Sequence, residues 1–456
     1  MASNVNLTGL AHDLKQRAEN HAPIRIGLIG CGEMGTDLLS SIAHMEGITV
    51  AAVATRTPSR IFDAAILAYG EKGHVCEVEN AHALTQSIEK GLIAATDDID
   101  LVLRHEQIDI IVDATGYPEA GAEIGFKALE NNKHLVMMNV EADVTIGAYL
   151  KHEAEKRGLI YTLGAGDEPT SCMELIEFVS ALGHKIVAAG KGKNNPLLFD
   201  ATPDAYEEEA MHRNMNVRML VEFIDGSKTM VEMAAIANAT GLLPDCPGMH
   251  GPQTALQDLN KVLIPKQDGG ILEQYGVVDY SIGQGVSPGV FVIAEIAHPR
   301  LRERMEDLKI GQGPYFTFHR PYHLTAMEVP LTCARVMLYG KKDMAPLNHP
   351  VVEVCAVAKK DLYPGDQLDF IGLYTYRAWI MNIAEARAHQ AIPCGLLEKA
   401  TVTAEIKKNE LITVHNTAIR EDQWIARLRA KQDLLLQNPS RSCISPPCYC
   451  FNNSSY

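Results

Sequence analysis

Apolar residues in the first third of the chain gather into short runs, each followed by a stretch with helical spacing. Ile24–Ile29 is such a run. It passes directly into Gly30-x-Gly32-x-x-Gly35, after which Leu38, Leu39, Ile42 and Ala43 recur at helical intervals. Comparable runs follow at Ile48–Ala54, Ile108–Asp113, His134–Met138 and Leu159–Leu163. Strands alternating with helices predict a doubly wound parallel sheet with right-handed crossovers over residues 22–163. The insert Tyr69–Asp100 is long for a crossover and is expected to carry extra helix. Leu7, Leu10, Ala11, Leu14 and Ala18 fall on one face of a short amphipathic helix expected to pack on the body.

The pattern then loosens. Met219–Phe223 and Val290–Ala294 read as β, Met173–Leu182 and Met230–Ala239 as helix. The helical run Glu328–Tyr339 is expected to return to the first domain. From Val351 onward, short apolar runs alternate with Pro/Gly turns such as Tyr363-Pro-Gly365-Asp and Ile392-Pro-Cys-Gly395, the signature of short strands. The predicted class is α/β: a Rossmann-type dinucleotide-binding domain (1–163), an α+β catalytic and oligomerisation domain (164–345), a small β-rich SAF-like β-clip domain (346–435) and a disordered tail (436–456).

At 456 residues the chain is too long for one ordinary core. Its net charge of −16 argues against nucleic acid or an anionic membrane as the main partner. No apolar run approaches a membrane span, and the first residues lack a signal pattern. Ten cysteines are scattered without metal-finger spacing, which fits reduced thiols in a cytoplasmic protein. Cys443, Cys448 and Cys450 stand apart in the Ser/Pro/Asn-rich tail.

The strand–glycine–helix context makes Gly30, Gly32, Glu33, Met34 and Gly35 candidates to cradle a dinucleotide pyrophosphate. At the end of the second strand an NAD enzyme usually carries a carboxylate for the ribose hydroxyl. This chain has Thr55-Arg56-Thr57-Pro58-Ser59-Arg60, which suits a 2′-phosphate and predicts NADP(H). Thr115, Gly116 and Asn139 follow strands whose ends face the nicotinamide half.

Four further clusters carry chemistry. Gly190-Lys191-Gly192-Lys193-Asn194-Asn195-Pro196 sets two cations and two carboxamides on a flexible backbone suited to an anion or a carbonyl. Phe318-His319-Arg320-Pro321-Tyr322-His323 offers a guanidinium fork and two imidazoles. Asp167-Glu168-Pro169 could hold Mg²⁺ or Mn²⁺, or equally start a helix. Glu232 and Asn238 interrupt an apolar helical run, which calls for polar partners or a ligand.

These blocks, with Val136-Met-Met-Asn139-Val-Glu141-Ala-Asp143 and Asn216-Val-Arg218, resemble the homoserine-dehydrogenase-like oxidoreductases. Within them they resemble the 1-deoxy-D-xylulose 5-phosphate reductoisomerase-like branch with a SAF domain. The resemblance spans roughly residues 20–430. It implies an enzyme that uses NADPH and a divalent cation to rearrange and reduce a small phosphorylated sugar, in the methylerythritol phosphate route of isoprenoid synthesis; the large apolar stretches of the second region favour a homodimer. Lys191, Lys193, Asn194, His319, Arg320 and His323 would grip that substrate, and Asp167, Glu168 and Glu232 would hold the metal. The classical reductoisomerase binds its cation with an Asp-x-Glu pair plus a further Glu, whereas Asp167-Glu168 here has no spacer. An alternative is an NADP-dependent, homoserine-dehydrogenase-like oxidoreductase acting on another small hydroxylated substrate. A third is a non-catalytic NADP-binding sensor.

Overall fold

A computed structural model describes residues 8–70 and 74–437. The tail with Cys443, Cys448 and Cys450, the start of the chain with Leu7, and residues 71–73 lie outside the described residues.

Seven parallel strands form the first sheet: β1 (Ile24–Ile29), β2 (Ile48–Ala54), β3 (Val75–Glu77), β4 (Ile93–Thr96), β5 (Ile110–Asp113), β6 (His134–Met137) and β7 (Tyr161–Leu163). Their order is β3-β4-β2-β1-β5-β6-β7, so the winding reverses between β1 and β5. The five anticipated strands are present. The insert after Tyr69 departs from expectation: besides the helix Ala81–Glu89 it supplies β3 and β4. Both are very short, and β4 is Ile-Ala-Ala-Thr, with little β-branched or alternating signal to mark it as a strand.

A second, mostly antiparallel sheet follows: β8 (Lys185–Gly192), β9 (Val277–Ser281), β10 (Val290–Glu295) and β11 (Tyr315–Arg320), in the order β11-β10-β8-β9. The Lys-Gly-Lys stretch is thus the end of a strand, where a flexible loop was expected. Its glycines serve close packing: a Cβ on Gly190 would sit 1.6 Å from the Asp279 carbonyl oxygen, and one on Gly192 2.3 Å from the Ser287 nitrogen. Met219–Phe223, expected as β, lies in the helix Val217–Ile224. A five-residue apolar run carries no decisive period. The Asn216 cap, which accepts from the Arg218 N–H, and the burial of Leu220, Val221 and Ile224 on one face favour helix.

The helix Val329–Tyr339 does return to the first sheet. Its Val329, Cys333, Ala334 and Val336 share an apolar cluster with Ile26, Leu28, Val112 and Val136. The helix Leu10–Glu19 joins the same layer through Leu14, and its Asp13 accepts a 2.5 Å bond from the Tyr339 hydroxyl.

The last region builds on a hairpin of β12 (Val352–Ala358) and β13 (Tyr376–Asn382), with a two-residue ladder of β14 (Thr401–Val402) and β15 (Thr417–Ala418). One face of the hairpin joins a core cluster that includes Ile146 and Leu150 of the helix Val140–Lys156 and Met233 and Ile236 of the helix Ser227–Thr240. The described residues end with the helix Trp424–Gln437, whose first N–H groups donate to Glu119. Among the described residues no helix is long and apolar enough to cross a membrane.

Candidate active site

The glycine turn sits where the order of the first sheet reverses, at the carboxyl edge where open α/β sheets bind ligands. Gly30 has φ +98°, and a Cβ there would lie 2.8 Å from the Ala114 carbonyl oxygen. A Cβ on Gly35 would lie 2.3 Å from the Gly30 oxygen, so the glycine lets the helix Glu33–Ile42 approach β1. Gly32 caps that helix and has no heavy atom within 4 Å of its Cβ position. The result is a backbone cradle open at a helix N-terminus, which fits a dinucleotide pyrophosphate.

Side chains lock the neighbouring loops. Thr115 donates to Asp113 Oδ1 from its backbone nitrogen at 2.9 Å and from its hydroxyl at 2.7 Å. Asn139 donates to the Tyr117 carbonyl at 2.8 Å and accepts from the Ala142 N–H at 3.2 Å. Burial pushes the Asp113 carboxyl up to about 6, against the bonds from Thr115 and Asn139. At the end of β2 no carboxylate appears. Arg56 is exposed, with its guanidinium carbon 5.9 Å from the Tyr117 ring centre.

A buried charge cluster adjoins this edge. Lys191 on β8 donates to Glu168 Oε1 at 2.7 Å and to Glu232 Oε2. His323 Nε2 lies 3.4 Å from the same Glu168 oxygen. Lys228, one turn before Glu232, donates to Glu141 at 2.8 Å, just beyond Asn139. Arg218 pairs with Glu222 at 2.9 Å. Burial by itself lifts a carboxyl, but the Lys191 and His323 charges hold Glu168 well below its ordinary range. For Glu232, burial and then Glu168 win over the lysines and push it up to about 7. Asp167 is raised well above the carboxylate range by burial and then by Glu168 and Glu232. Burial would discharge Lys191, yet Glu168 and Glu232 keep it above its usual value, so it stays an ammonium.

This geometry corrects the expected metal set. Glu168 and Glu232 close on the Lys191 ammonium, which fills the place between them that a divalent cation would need. The acidic and imidazole groups that do converge are Asp167, Glu168 and His323, whose ligand-type atoms come within 4.8 Å of one another.

The other expected residues scatter. Lys193 is buried and donates to the carbonyls of Asn195, Pro196 and Phe223, a complete set for an ammonium. Asn194 is exposed. Arg320 is a clasp between elements: it bonds Ser171 at 3.1 Å, Glu174 at 2.9 Å and Glu328 at 2.5 Å. His319 points to the opposite face of β11, bonds the Val286 carbonyl at 3.1 Å and lines a groove with Asn260, Tyr315 and Thr317. Alternation along the strand separates it from Arg320. Lys228 and Glu222 were not singled out from sequence: Lys228 stands between Ser227 and Thr229 at a helix start, and Glu222 lies in a run expected as β.

A glycine cradle at the switch point, beside a buried lysine clasped by carboxylates, defines an NAD(P)-binding oxidoreductase. Sequence comparison agrees at this level. Residues 30–163 match the family model described as homoserine dehydrogenase, NAD binding domain, and residues 166–329 match oxidoreductase DRL, catalytic domain. No curated protein matches the chain. Among solved structures it is similar to apo scyllo-inositol dehydrogenase from Lactobacillus casei, at 14% identity over 70% of this chain. That match covers 89% of the other chain with a TM-score of 0.40. The same enzyme with NAD(H) and scyllo-inositol bound matches over 76% of its length, with a TM-score of 0.37.

The matched descriptions name dehydrogenase and oxidoreductase domains and no reductoisomerase. The assignment to the 1-deoxy-D-xylulose 5-phosphate reductoisomerase-like branch is corrected accordingly, and isoprenoid synthesis and the methylerythritol phosphate route fall with it.

Proposed function

We propose that the protein is an NADP(H)-dependent oxidoreductase that interconverts an alcohol and a carbonyl on a small hydroxylated substrate. The observation that carries this reading is Lys191, held as an ammonium by Glu168 and Glu232 beside the carboxyl edge that bears the Gly30–Gly35 turn. Gly30, Gly32, Glu33, Met34 and Gly35 hold the pyrophosphate, Thr55 and Arg56 face the 2′-phosphate, and Thr115, Gly116 and Asn139 border the nicotinamide. When bound, the nicotinamide accepts or supplies the hydride.

The chain's own residues do the rest. Lys191, fixed and partly desolvated, stabilises negative charge developing on the substrate oxygen. Because Glu168 and Glu232 keep it protonated, it acts as an electrostatic anchor and not as a base. Glu232, raised to about 7, is matched to accept the hydroxyl proton in oxidation and return it in reduction. His323, against Glu168, orients that carboxylate.

The test titrates the protein with NADPH and NADH, then follows reduced-nicotinamide absorbance with polyols such as scyllo-inositol, with homoserine and with small hydroxy acids. Preferential NADPH binding is expected, with turnover on at least one hydroxylated compound that drops about 100-fold or more in Lys191→Met while nucleotide affinity is kept. Failure of both nucleotides to bind would overturn the reading. So would a Lys191→Met enzyme as active as the parent.

A further inference from the structure

Arg377 belongs to the outward face of β13, opposite the core-facing Tyr376, Ala378 and Ile380. Its residue is only 5% exposed. The guanidinium carbon lies 4.2 Å from the Phe199 ring centre and 4.5 Å from that of Trp379. Neither Nε nor NH1 has a hydrogen-bond partner among the described residues. A buried guanidinium with unmatched N–H groups is costly, because aromatic faces offset part of its charge but accept none of its directed bonds.

The groups whose charge reaches Arg377 are already committed. Asp225 Oδ2 lies 2.6 Å from the Lys359 ammonium, and Asp200 Oδ2 lies 2.6 Å from that of Lys408. Tyr280 stays a neutral phenol, its hydroxyl pushed up to about 12 by burial and then by Asp279. A second buried cation lies under the same stretch of chain. Lys193 bonds the carbonyls of Asn195, Pro196 and Phe223 and has no carboxylate within salt-bridge distance among the described residues. The segment 195–201, whose Phe199 stacks on Arg377 and whose Ala201 carbonyl accepts from Lys359, therefore lies against two buried cations that form no salt bridge among the described residues.

We propose that Arg377 anchors an oxyanion-binding site beneath the segment 195–201, one that takes the carboxylate or phosphate group of a small molecule. The guanidinium supplies the directed donors and Lys193 supplies long-range charge. The site lies on the seam between the second sheet and the β12–β13 hairpin. It goes beyond the oxidoreductase reading and does not depend on it.

The experiment measures thermal stability and calorimetric binding of the full chain with inorganic phosphate, with acetate and with chloride at matched ionic strength. Phosphate or acetate should raise Tm beyond the chloride control, and whichever anion does so names the class. Arg377→Met should remove that increment and, with the unmatched charge gone, melt no lower than the parent in chloride. Arg377→Lys, which keeps the charge but lacks the fork, should weaken anion binding about tenfold. If Arg377→Met does not fold, the lysine variant decides: unchanged affinity overturns the proposal. It is equally overturned if the parent gains nothing over chloride, or if the anion increment survives in Arg377→Met.

Discussion

The glycine turn and the Lys191 cluster lie at one edge of the molecule but are built on opposite principles. The turn is made of backbone: three glycines within six positions, one helix end and a neighbouring strand. The cluster is made of side chains brought from a helix start (Glu168), a strand (Lys191), the middle of a helix (Glu232) and the loop after β11 (His323). The backbone device has no room for a Cβ at Gly30 or Gly35 and rests on no side-chain charge. A side-chain device tolerates shape changes but fails when its charge balance is broken.

The sharpest test of that contrast is Gly35→Val. Its Cβ would meet the Gly30 carbonyl oxygen at 2.3 Å and the carbonyl carbon at 3.1 Å, both backbone atoms. Nucleotide titration should be abolished and the melting transition lowered or lost, by the largest margin of any change considered. Lys191→Met should come next. It leaves Glu168 and Glu232 buried without their cation, a loss of about 3–5 kcal/mol in denaturant unfolding. Lys191→Met combined with Glu232→Gln should cost less than the single change, because one orphaned charge goes with it.

The third test is pH. Burial, then the Glu141 carboxylate, lifts Glu222 to about 8 from the ordinary 4.5. The folded state therefore holds a proton that the unfolded chain releases. That contribution is fully present below about pH 4.5 and is lost as pH rises through about 8, with a slope of up to roughly 1.4 kcal/mol per pH unit. Unfolding at a series of pH values should show stability declining across that window, and Glu222→Gln should flatten the decline. An unchanged slope in Glu222→Gln would reject this assignment. Smallest in structural terms is Arg56→Ala. Arg56 is exposed and touches the fold only through the Tyr117 ring face among the described residues, so Tm should hardly move, while NADPH affinity falls about tenfold or more relative to NADH.

The same contrast explains what could be read from the chain. The parallel sheet and the Gly30–Gly35 turn are local: strand, glycines and helix follow one another in sequence, so spacing alone reveals them. Lys191, Glu168 and Glu232 were each visible as residues of interest, but not as partners. Nothing in the spacing says that Lys191 itself would sit where a metal was expected, because those contacts join β8 to residues 23 and 41 positions away on two different helices. His319 and Arg320 show the limit on the smaller scale. They are adjacent in a motif, yet strand alternation sends them to opposite faces. Glu222 repeats the signal of Glu232, a charge stranded among apolar neighbours, but Lys228 stands between Ser227 and Thr229 and carries no such mark.

The helix Val329–Tyr339 has a consequence for how the chain is made. Ile26, Leu28, Val112 and Val136 are synthesised early, but the Val329, Cys333, Ala334 and Val336 that share their cluster arrive only after the whole second sheet. During translation the nucleotide-binding half waits with an uncapped greasy side, exposed to chaperones or to neighbouring nascent chains. A fragment ending at β7 should therefore be sticky, and supplying the later helix as a separate peptide should restore its solubility.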